Sequence, residues 1–354
     1  MSKVFVCGEG AVSPAGWGMD ALRKAIAQGT ALPAKDVSRP GNPTLRIRSV
    51  PPAPARPAFA AHSRLRRTSP IAHYAVSAAL EALGADASAL GPNSSSLGII
   101  FCVMSGCINY SRRFYDETLN NPATASPVVF PETVFNSPAS HLASLLGTTA
   151  INYTLVGDPG TVLQGLALAA DWLVSEKVEG CVVIGAEERD WLTAEAVSLF
   201  SSQAEASDGA GALYLRRKPR GNPAIELHVV TQSHLFCKNQ SRAEAALRAR
   251  GELCLNGCEQ LLCDSLQGVS RLDRDEVAAW RDWTGPRLSV KKVLGEGLMA
   301  AAAWQCLAAV DALRHGNLSA ATVSVVGCNQ QAIAGQFIRS DSKLDSESSG
   351  EKPS

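Results

Sequence analysis

The chain has 354 residues, of which 46% are hydrophobic and only 6% aromatic. This length can bury a large core as one large domain or two smaller ones, and the composition favours helices packed on sheets over an all-β sandwich. Thirty-three basic residues balance thirty-three acidic ones, so no overall charge favours binding to nucleic acid or to an anionic membrane.

Strands and helices are predicted to alternate through the first 215 residues. Apolar runs predict strands at 3–7, 97–103, 151–156, 181–184 and 208–215. Helical spacing predicts helices at 18–28, 70–84, 137–146 and from about 159 to 175. The Pro-rich stretch 30–60 is predicted to be an irregular loop. Gly8 and Gly10 are interpreted as a tight turn, because the third glycine of a dinucleotide-binding loop is missing.

The second half repeats this alternation less clearly. The sequence predicts a strand at 225–230, a helix at 241–250, a strand or loop at 258–264, a helix at 297–314 and a strand at 322–327. Such alternation is typical of an α/β fold with buried sheets. From about residue 339 the chain is polar and low in complexity, which predicts a disordered tail. We therefore divide the chain into residues 1–215, 216–338 and 339–354.

The sequence also bears on location and on metal binding. No apolar run approaches the roughly 18–20 residues of a membrane helix, and the first eight residues lack the apolar region of a signal peptide. We expect a cytoplasmic protein that does not contact membranes, with ten free cysteines. Cys254, Cys258 and Cys263 lie close together but lack a CxxC pair, so we predict neither a metal site nor a cofactor.

Several motifs, taken in order and spacing, resemble one known family. Phe5-Val-Cys-Gly-Glu-Gly-Ala-Val-Ser-Pro-Ala-Gly16 looks like the first strand and following turn of the β-ketoacyl synthases, members of the thiolase superfamily. Asn136-Ser-Pro-Ala-Ser-His141 begins a segment that resembles their dimer-interface helix. Thr154-Leu-Val156 resembles the strand before the nucleophile, Ile184-Gly-Ala-Glu187 a later strand end, and Asp208-Gly-Ala-Gly-Ala212 a Glu-Gly-Ala-Gly turn. The resemblance spans most of residues 3–337.

That family condenses acyl chains with a cysteine and two histidines, and the resemblance implies that all three are replaced here. The cysteine position falls on Pro159, which has neither a nucleophilic side chain nor a backbone N–H. The first histidine position falls on Ser265 and the second on Glu296. The late glycine-rich turn is reduced to Val326-Gly-Cys-Asn329. We therefore predict no catalytic residue at these positions.

Simpler interpretations of these residues are also open. Asp158 and Pro159 suit the N-cap and first position of a helix. Glu296 is either a solvated carboxylate or the partner of Lys291 or Lys292. His141 lies on a helix rich in small residues and is interpreted as a packing or interface residue rather than a catalyst.

The resemblance implies a thiolase-like fold of five α-β-α-β-α layers made from two similar halves. It also implies a catalytically inactive subunit, of the chain length factor type, that pairs with an active ketosynthase in a type II polyketide or aryl polyene synthase. Acyl carrier protein is the other expected partner, and one of the basic clusters 64–67 and 216–220 is a candidate docking patch. The expected dimer interface includes Asn136, His141, Asn152, Tyr153, Thr154, Leu155 and Val156.

Two other functions stay open at this point. The chain is alternatively an enzyme of the same fold whose chemistry has moved to Cys107, Glu296 or Asp158. A pocket in which one of these residues lies beside a basic group would favour that hypothesis. It is alternatively a homodimeric acyl-binding protein that has no ketosynthase partner.

Overall fold

A computed structural model describes residues 3–38, 44–91, 94–237, 241–253 and 259–340. Its strands are Phe5–Ser13 (β1), Gly16–Trp17 (β2), Lys35–Val37 (β3), Leu45–Arg48 (β4), Leu97–Val103 (β5), Asn152–Val156 (β6), Gly180–Glu187 (β7), Ala206–Ser207 (β8), Gly209–Arg216 (β9), Ala224–Val230 (β10), His234–Leu235 (β11), Gln260–Asp264 (β12), Arg287–Ser289 (β13), Ala320–Val326 (β14) and Gln331–Ser340 (β15). Its α-helices are Met19–Gln28 (α1), Pro70–Leu83 (α2), Ala85–Ala89 (α3), Ile108–Asn120 (α4), Ser137–Leu146 (α5), Thr161–Val174 (α6), Trp191–Phe200 (α7), Arg242–Gly251 (α8), Ser270–Ala279 (α9), Val290–Leu294 (α10) and Met299–His315 (α11).

Two sets of five strands follow the same pairing pattern. In the first, β1 and β9 are antiparallel, as are β9 and β7, while β7, β5 and β6 are parallel. In the second, β10 and β15 are antiparallel, as are β15 and β14, while β14, β12 and β13 are parallel. The two sets join where β1 pairs with β10, at Phe5 with Glu226 and Val6 with Ile225. The chain therefore contains two similar halves, as the resemblance implies.

Helices cover the outer faces of both strand sets, called here the first and second sheets, and also separate them. The side chains of α6 and α11 form one large core together with residues of both strand sets, which places these two helices in the central layer. Helices α2 and α5 pack on the outer face of the first sheet, and α8 and α9 on the outer face of the second. Helix α11 is apolar and buried on nearly every side, as a helix between two sheets must be. The thiolase-like five-layer α/β fold is thereby confirmed.

Close packing explains the glycines of the first strand. Gly8 and Gly10 belong to β1, which runs on to Ser13, so the interpretation as a tight turn is wrong. A Cβ atom on Gly8 would lie 1.8 Å from the carbonyl oxygen of Ala82, and one on Gly10 would lie 2.0 Å from that of Ala78. Both residues therefore let the backbone of α2 lie directly on the sheet.

The structure differs from several other predictions made from the sequence. The predicted loop 30–60 contains the short strands β3 and β4, and helices α4, α7 and α9 were not predicted. The uncertain segment 258–264 contains β12. Arg339 and Ser340 end β15, while the rest of the predicted tail, 341–354, lies outside the described residues. The division of the chain at residues 215 and 216 stays a prediction. Within the described residues, no helix combines the length and apolarity needed to cross a bilayer.

Candidate functional site

The turn before α6 carries the residue at the predicted nucleophile position, Pro159. Helix α6 begins at Thr161 with Gly160 as its N-cap, so the expectation that Asp158 caps the helix is wrong. The Asp158 carboxylate, only 2% exposed, instead accepts hydrogen bonds from a distant loop. The backbone N–H groups of Asn329, Gln330 and Gln331 donate to it at 3.3, 3.3 and 3.2 Å. We call residues 157–161, together with the loop 327–331, the 158 turn.

The loop that receives Asp158 has no space for a larger residue at its start. A Cβ atom on Gly327 would lie 1.6 Å from Oδ2 of Asp158, so a side chain there would displace the carboxylate. The Cys328 thiol lies 3.3 Å from Oδ1 of Asp158. Burial and the nearby Asp158 carboxylate raise the pKa of this thiol well above its usual range. The 158 turn is thus bonded internally and offers no thiolate at neutral pH.

Ser265 belongs to a buried hydrogen-bond network at the end of β12. Its hydroxyl donates to Glu276, and the N–H of Val326 donates to Ser265 Oγ at 3.1 Å. The Ser324 hydroxyl donates to Glu276 Oε1 at 2.6 Å. Burial raises the pKa of Glu276 to about 7, although these donors lower it. The network holds Ser265 beside Val326, which is at the start of the reduced glycine-rich turn.

Glu296 is the partner of Lys291, as one of the sequence interpretations predicted. Its Oε2 lies 2.8 Å from Nζ of Lys291 and accepts a second bond of 2.8 Å from Nε2 of Gln267. Its Oε1 accepts the N–H of Leu298 at 2.8 Å. The side chain is only 5% exposed, so the alternative of a solvated carboxylate is wrong. These bonds hold Leu298 at φ 48, in the left-handed region that disfavours residues with a side chain.

A small cavity lies beside Glu296 and connects these segments. Its volume is ≈ 50 Å³. Its lining comprises Val197, Phe200, Ala204, Arg242, Gln267, Leu272, Glu296, Leu298, Val326 and Cys328. The three predicted positions are therefore all linked to this cavity. Glu296 lines it, and Ser265 accepts a hydrogen bond from Val326, which also lines it. Pro159 follows Asp158, whose carboxylate contacts the lining residue Cys328. Their equivalence to a catalytic set stays a prediction.

No family model and no curated protein matches the chain. Several solved structures, however, are similar to the chain. The chain is similar to the "ishigamide ketosynthase/chain length factor" at a TM-score of 0.79 and 18% identity, with 95% of this chain and 99% of that one covered. A structure of a "type II PKS acyl-carrier protein in complex with its ketosynthase" (AntDE:AntF) gives 0.75 and 18%, with 95% and 99% covered. The chain has the β-ketoacyl synthase fold.

A third ketosynthase-fold structure extends the comparison. It is "Ketosynthase (ApeO) in Complex with its Chain Length Factor (ApeC)" from Xenorhabdus doucetiae, with a TM-score of 0.74 and 14% identity. The alignment covers 96% of this chain and 98% of that one. Near-complete coverage on both sides means that the likeness concerns the whole ketosynthase fold rather than one layer of it.

The predicted interface residues lie at one edge of this fold. Strand β6 is the end strand of the sheet and pairs only with β5 among the described residues. Tyr153 is 52% and Val156 55% exposed, which is high for large apolar side chains. Asn136 and Asn152 are exposed as well. We call the exposed residues Asn136, Asn152, Tyr153 and Val156 the β6 face.

The other predicted interface residues are less accessible. Leu155 and Thr154 are half-buried, and Oγ1 of Thr154 is buried without a partner among the described residues. His141 is buried within the chain, where its Nε2 lies 2.8 Å from Oε2 of Glu132. His141 thus packs inside the chain, behind the β6 face.

The cysteines that could have carried chemistry are inaccessible or outside the described residues. Cys107 is 1% exposed, and burial raises the pKa of its thiol well above the usual range. Cys263 is buried in the core with a strongly raised pKa. Cys254 and Cys258 lie outside the described residues. Among the residues that the structure does describe, no three His, Cys, Asp or Glu side chains are placed to hold a metal ion.

Sequence reasoning missed several residues of the site. Gln267 lies two positions after Ser265, and this short separation in sequence could have indicated that it belongs to the site. Arg242 and Phe200 reach the cavity from α8 and α7, which are distant in sequence from Glu296, so no local pattern indicated them.

Proposed function

We propose that this chain is a non-catalytic subunit, of the chain length factor type, that pairs with an active ketosynthase and shapes its elongation pocket. The observation that carries the proposal is the 158 turn. Pro159 occupies the position at which the resemblance expects the acyl-accepting cysteine, and the adjoining Asp158 carboxylate is committed to three backbone N–H groups. Neither residue is available to accept an acyl group.

The partner is expected at the β6 face. A strand edge with free backbone groups and exposed apolar side chains is a liability in an isolated protein. Of the fifteen large apolar side chains that are exposed among the described residues, eight lie between Tyr115 and Val156. Two of the eight lie on β6 and six lie in α4 or the segment that follows it, so this concentration supports an interface that includes the segment 115–156. The ketosynthase–chain length factor complexes among the similar structures supply the kind of partner that we propose.

A test is to co-express the chain with a ketosynthase that carries the cysteine and both histidines, and to measure the mass of the purified complex. The proposal expects a one-to-one heterodimer that elongates acyl chains only when both subunits are present. A stable homodimer that does not bind the ketosynthase would instead favour an acyl-binding protein and overturn the proposal.

One observation favours a second candidate, an enzyme with relocated chemistry. Glu296 lies beside a basic group, Lys291, and lines a cavity. The two charges already pair with each other, Gln267 donates a further bond to Glu296, and burial raises the pKa of the nearby Cys328 thiol well above its usual range. The variant Glu296→Gln in the co-expressed complex separates the two functions. Because the variant leaves the buried Lys291 ammonium without its carboxylate, thermal unfolding of the complex is measured beside turnover. A non-catalytic subunit predicts that turnover falls only if the complex unfolds, whereas relocated chemistry predicts its loss in a complex that stays folded.

A further inference from the structure

Helix α7 is apolar on both of its sides. On the inner side, Ala194 and Val197 pack against residues of β4 and β8. The outer side carries four exposed residues at the i, i+4, i+7 and i+8 positions of a helix: Leu192, Ala196, Leu199 and Phe200. We call these four residues the α7 stripe. Leu199, at 81%, is the most exposed large apolar side chain in the part of the chain that the structure describes.

The α7 stripe is unlike the outer face of an ordinary surface helix, which presents polar residues to water. The charged residue of α7 is Glu195, which is half-buried and does not belong to the stripe. Water therefore meets an uncharged, apolar helix face. Since exposed apolar patches mark sites of protein contact, the α7 stripe is a candidate contact surface that the β6 face does not include.

The strand order of the first sheet places the start of α7 near the β6 face. Strands β6, β5 and β7 are parallel neighbours in that order, so the segments that follow them leave the sheet at the same edge. Val156 ends β6, and α7 begins four residues after Glu187, which ends β7. Neighbouring strands lie about 4.8 Å apart, so these two strand ends are separated by about 10 Å.

Helix α4, which follows the middle strand β5, connects the two surfaces. In its first turn, the N–H of Asn109 donates to Oε1 of Glu188 at 2.8 Å. Further along α4, Arg112 pairs with Asp190, the N-cap of α7. The exposed residues of α4 and of the segment after it therefore lie between the β6 face and the α7 stripe. Together these three parts carry eleven of the fifteen large apolar side chains that are exposed among the described residues.

The size and composition of this surface favour a permanent partner over a transient one. A stable interface takes about 20–30 residues from each partner, whereas the β6 face supplies four. The interfaces of permanent complexes are also more apolar than those of transient ones, and the α7 stripe carries no charge. An acidic carrier protein, by contrast, would be steered by exposed cations.

We propose that the α7 stripe is part of the surface on which the ketosynthase packs, with an apolar patch of the ketosynthase covering Leu199. This inference rests on the proposed function, because it takes the ketosynthase as the partner. It adds that the interface extends from β6 across α4 to α7, rather than ending at the edge of the sheet.

The test is Leu199→Asp in the full chain, with its affinity for a purified ketosynthase that carries the cysteine and both histidines measured by calorimetry. Binding should weaken by about 10-fold or more, because the partner must desolvate the new carboxylate. Leu199→Lys should weaken binding to a similar extent, because desolvation penalises a charge of either sign. Thermal unfolding of both variants should match that of the parent chain, since Leu199 is 81% exposed. Leu247→Asp, on α8 at 49% exposure, is the control and should leave binding unchanged.

The possible failures of this test are distinguishable. If the parent chain binds no ketosynthase, the proposed function is overturned together with this inference. If the parent chain binds and both Leu199 variants bind as tightly, only this inference is overturned. It is also overturned if Leu199→Asp weakens binding and Leu199→Lys does not, since the partner would then respond to the sign of the charge. Loss of carrier-protein binding with unchanged ketosynthase binding would instead assign the α7 stripe to the carrier protein.

Discussion

The 158 turn and the β6 face differ in whether their polar and apolar groups are already in contact with the rest of the chain. In the 158 turn, the buried Asp158 carboxylate accepts three backbone N–H groups of the same turn. On the β6 face, Tyr153 and Val156 are more than half exposed, and the strand has one free edge among the described residues. The carboxylate beside the predicted nucleophile position is bonded within the chain, whereas the edge strand at which the resemblance implies a partner carries exposed apolar side chains. The two regions should therefore respond differently to mutation.

The largest effect is expected in the 158 turn. Asp158→Ala leaves the buried N–H of Gln331 without an acceptor and removes two part-buried bonds, which should cost about 2–4 kcal/mol of unfolding free energy. Urea unfolding measures this loss. Asp171→Ala, which removes an exposed carboxylate from α6, is the control and should change stability by less than about 0.5 kcal/mol. An equal, small effect of both variants would show that Asp158 does not hold the loop.

The next largest effect should be on the β6 face, in association rather than stability. Val156→Asp places a charge where a partner would have to desolvate it, so binding to the ketosynthase should weaken by about 100-fold or more. Because Val156 is 55% exposed, the unfolding free energy should hardly change. Light scattering and calorimetry measure the affinity. Leu247→Asp on α8, at 49% exposure, is the matched control, and equal loss from both variants would place the partner elsewhere.

A smaller effect should come from the network that holds Ser265. Glu276 has a pKa of about 7 in the folded chain because of burial, against an ordinary value of 4.5. The folded state therefore binds more protons than the unfolded state between these values, so stability falls as pH rises from about 4.5 through 7. The contribution of this group should be roughly 1–3 kcal/mol.

Glu276→Gln should remove that share of the pH dependence, as seen by comparing unfolding curves at pH 5 and pH 8. Glu187 and Asp208 also have raised pKa values from burial, so the parent chain retains part of the slope in either case. Glu179→Gln, at an exposed site, serves as the control. Identical slopes for Glu276→Gln and the parent chain would contradict the assignment.

Comparing the two regions also shows which features of the fold and of the candidate site could be predicted from the sequence alone. The order of buried strands and helices was predictable, because runs such as Leu97–Val103 are apolar throughout, as in strands buried on both faces. Positions 159, 265 and 296 could be proposed from local motifs, and their equivalence to a catalytic set stays a prediction. The acceptor role of Asp158 was not, because its donors lie about 170 residues later in the chain. Local preference favoured helix capping, and a tertiary contact determined the outcome.

The smallest effect concerns two basic clusters on the surface, of which one is paired with carboxylates of the chain and the other is not. In the cluster 216–220, Arg216 and Arg220 pair with Asp86, and Arg217 pairs with Glu176. Arg64, Arg66 and Arg67 are exposed and form no ion pair with any described carboxylate. Acyl carrier proteins are acidic, so the unpaired cluster 64–67 is the better candidate for docking them.

Arg64→Glu/Arg67→Glu should therefore weaken carrier binding by about 10-fold at low salt and less at high salt, because exposed charges are screened. Arg217→Glu/Arg220→Glu, in the paired cluster, should change it by about twofold or less. Calorimetry of the two double variants at two salt concentrations measures the difference. If both lower the affinity equally, the carrier senses only net charge, and internal pairing does not distinguish a docking surface from a solvated one.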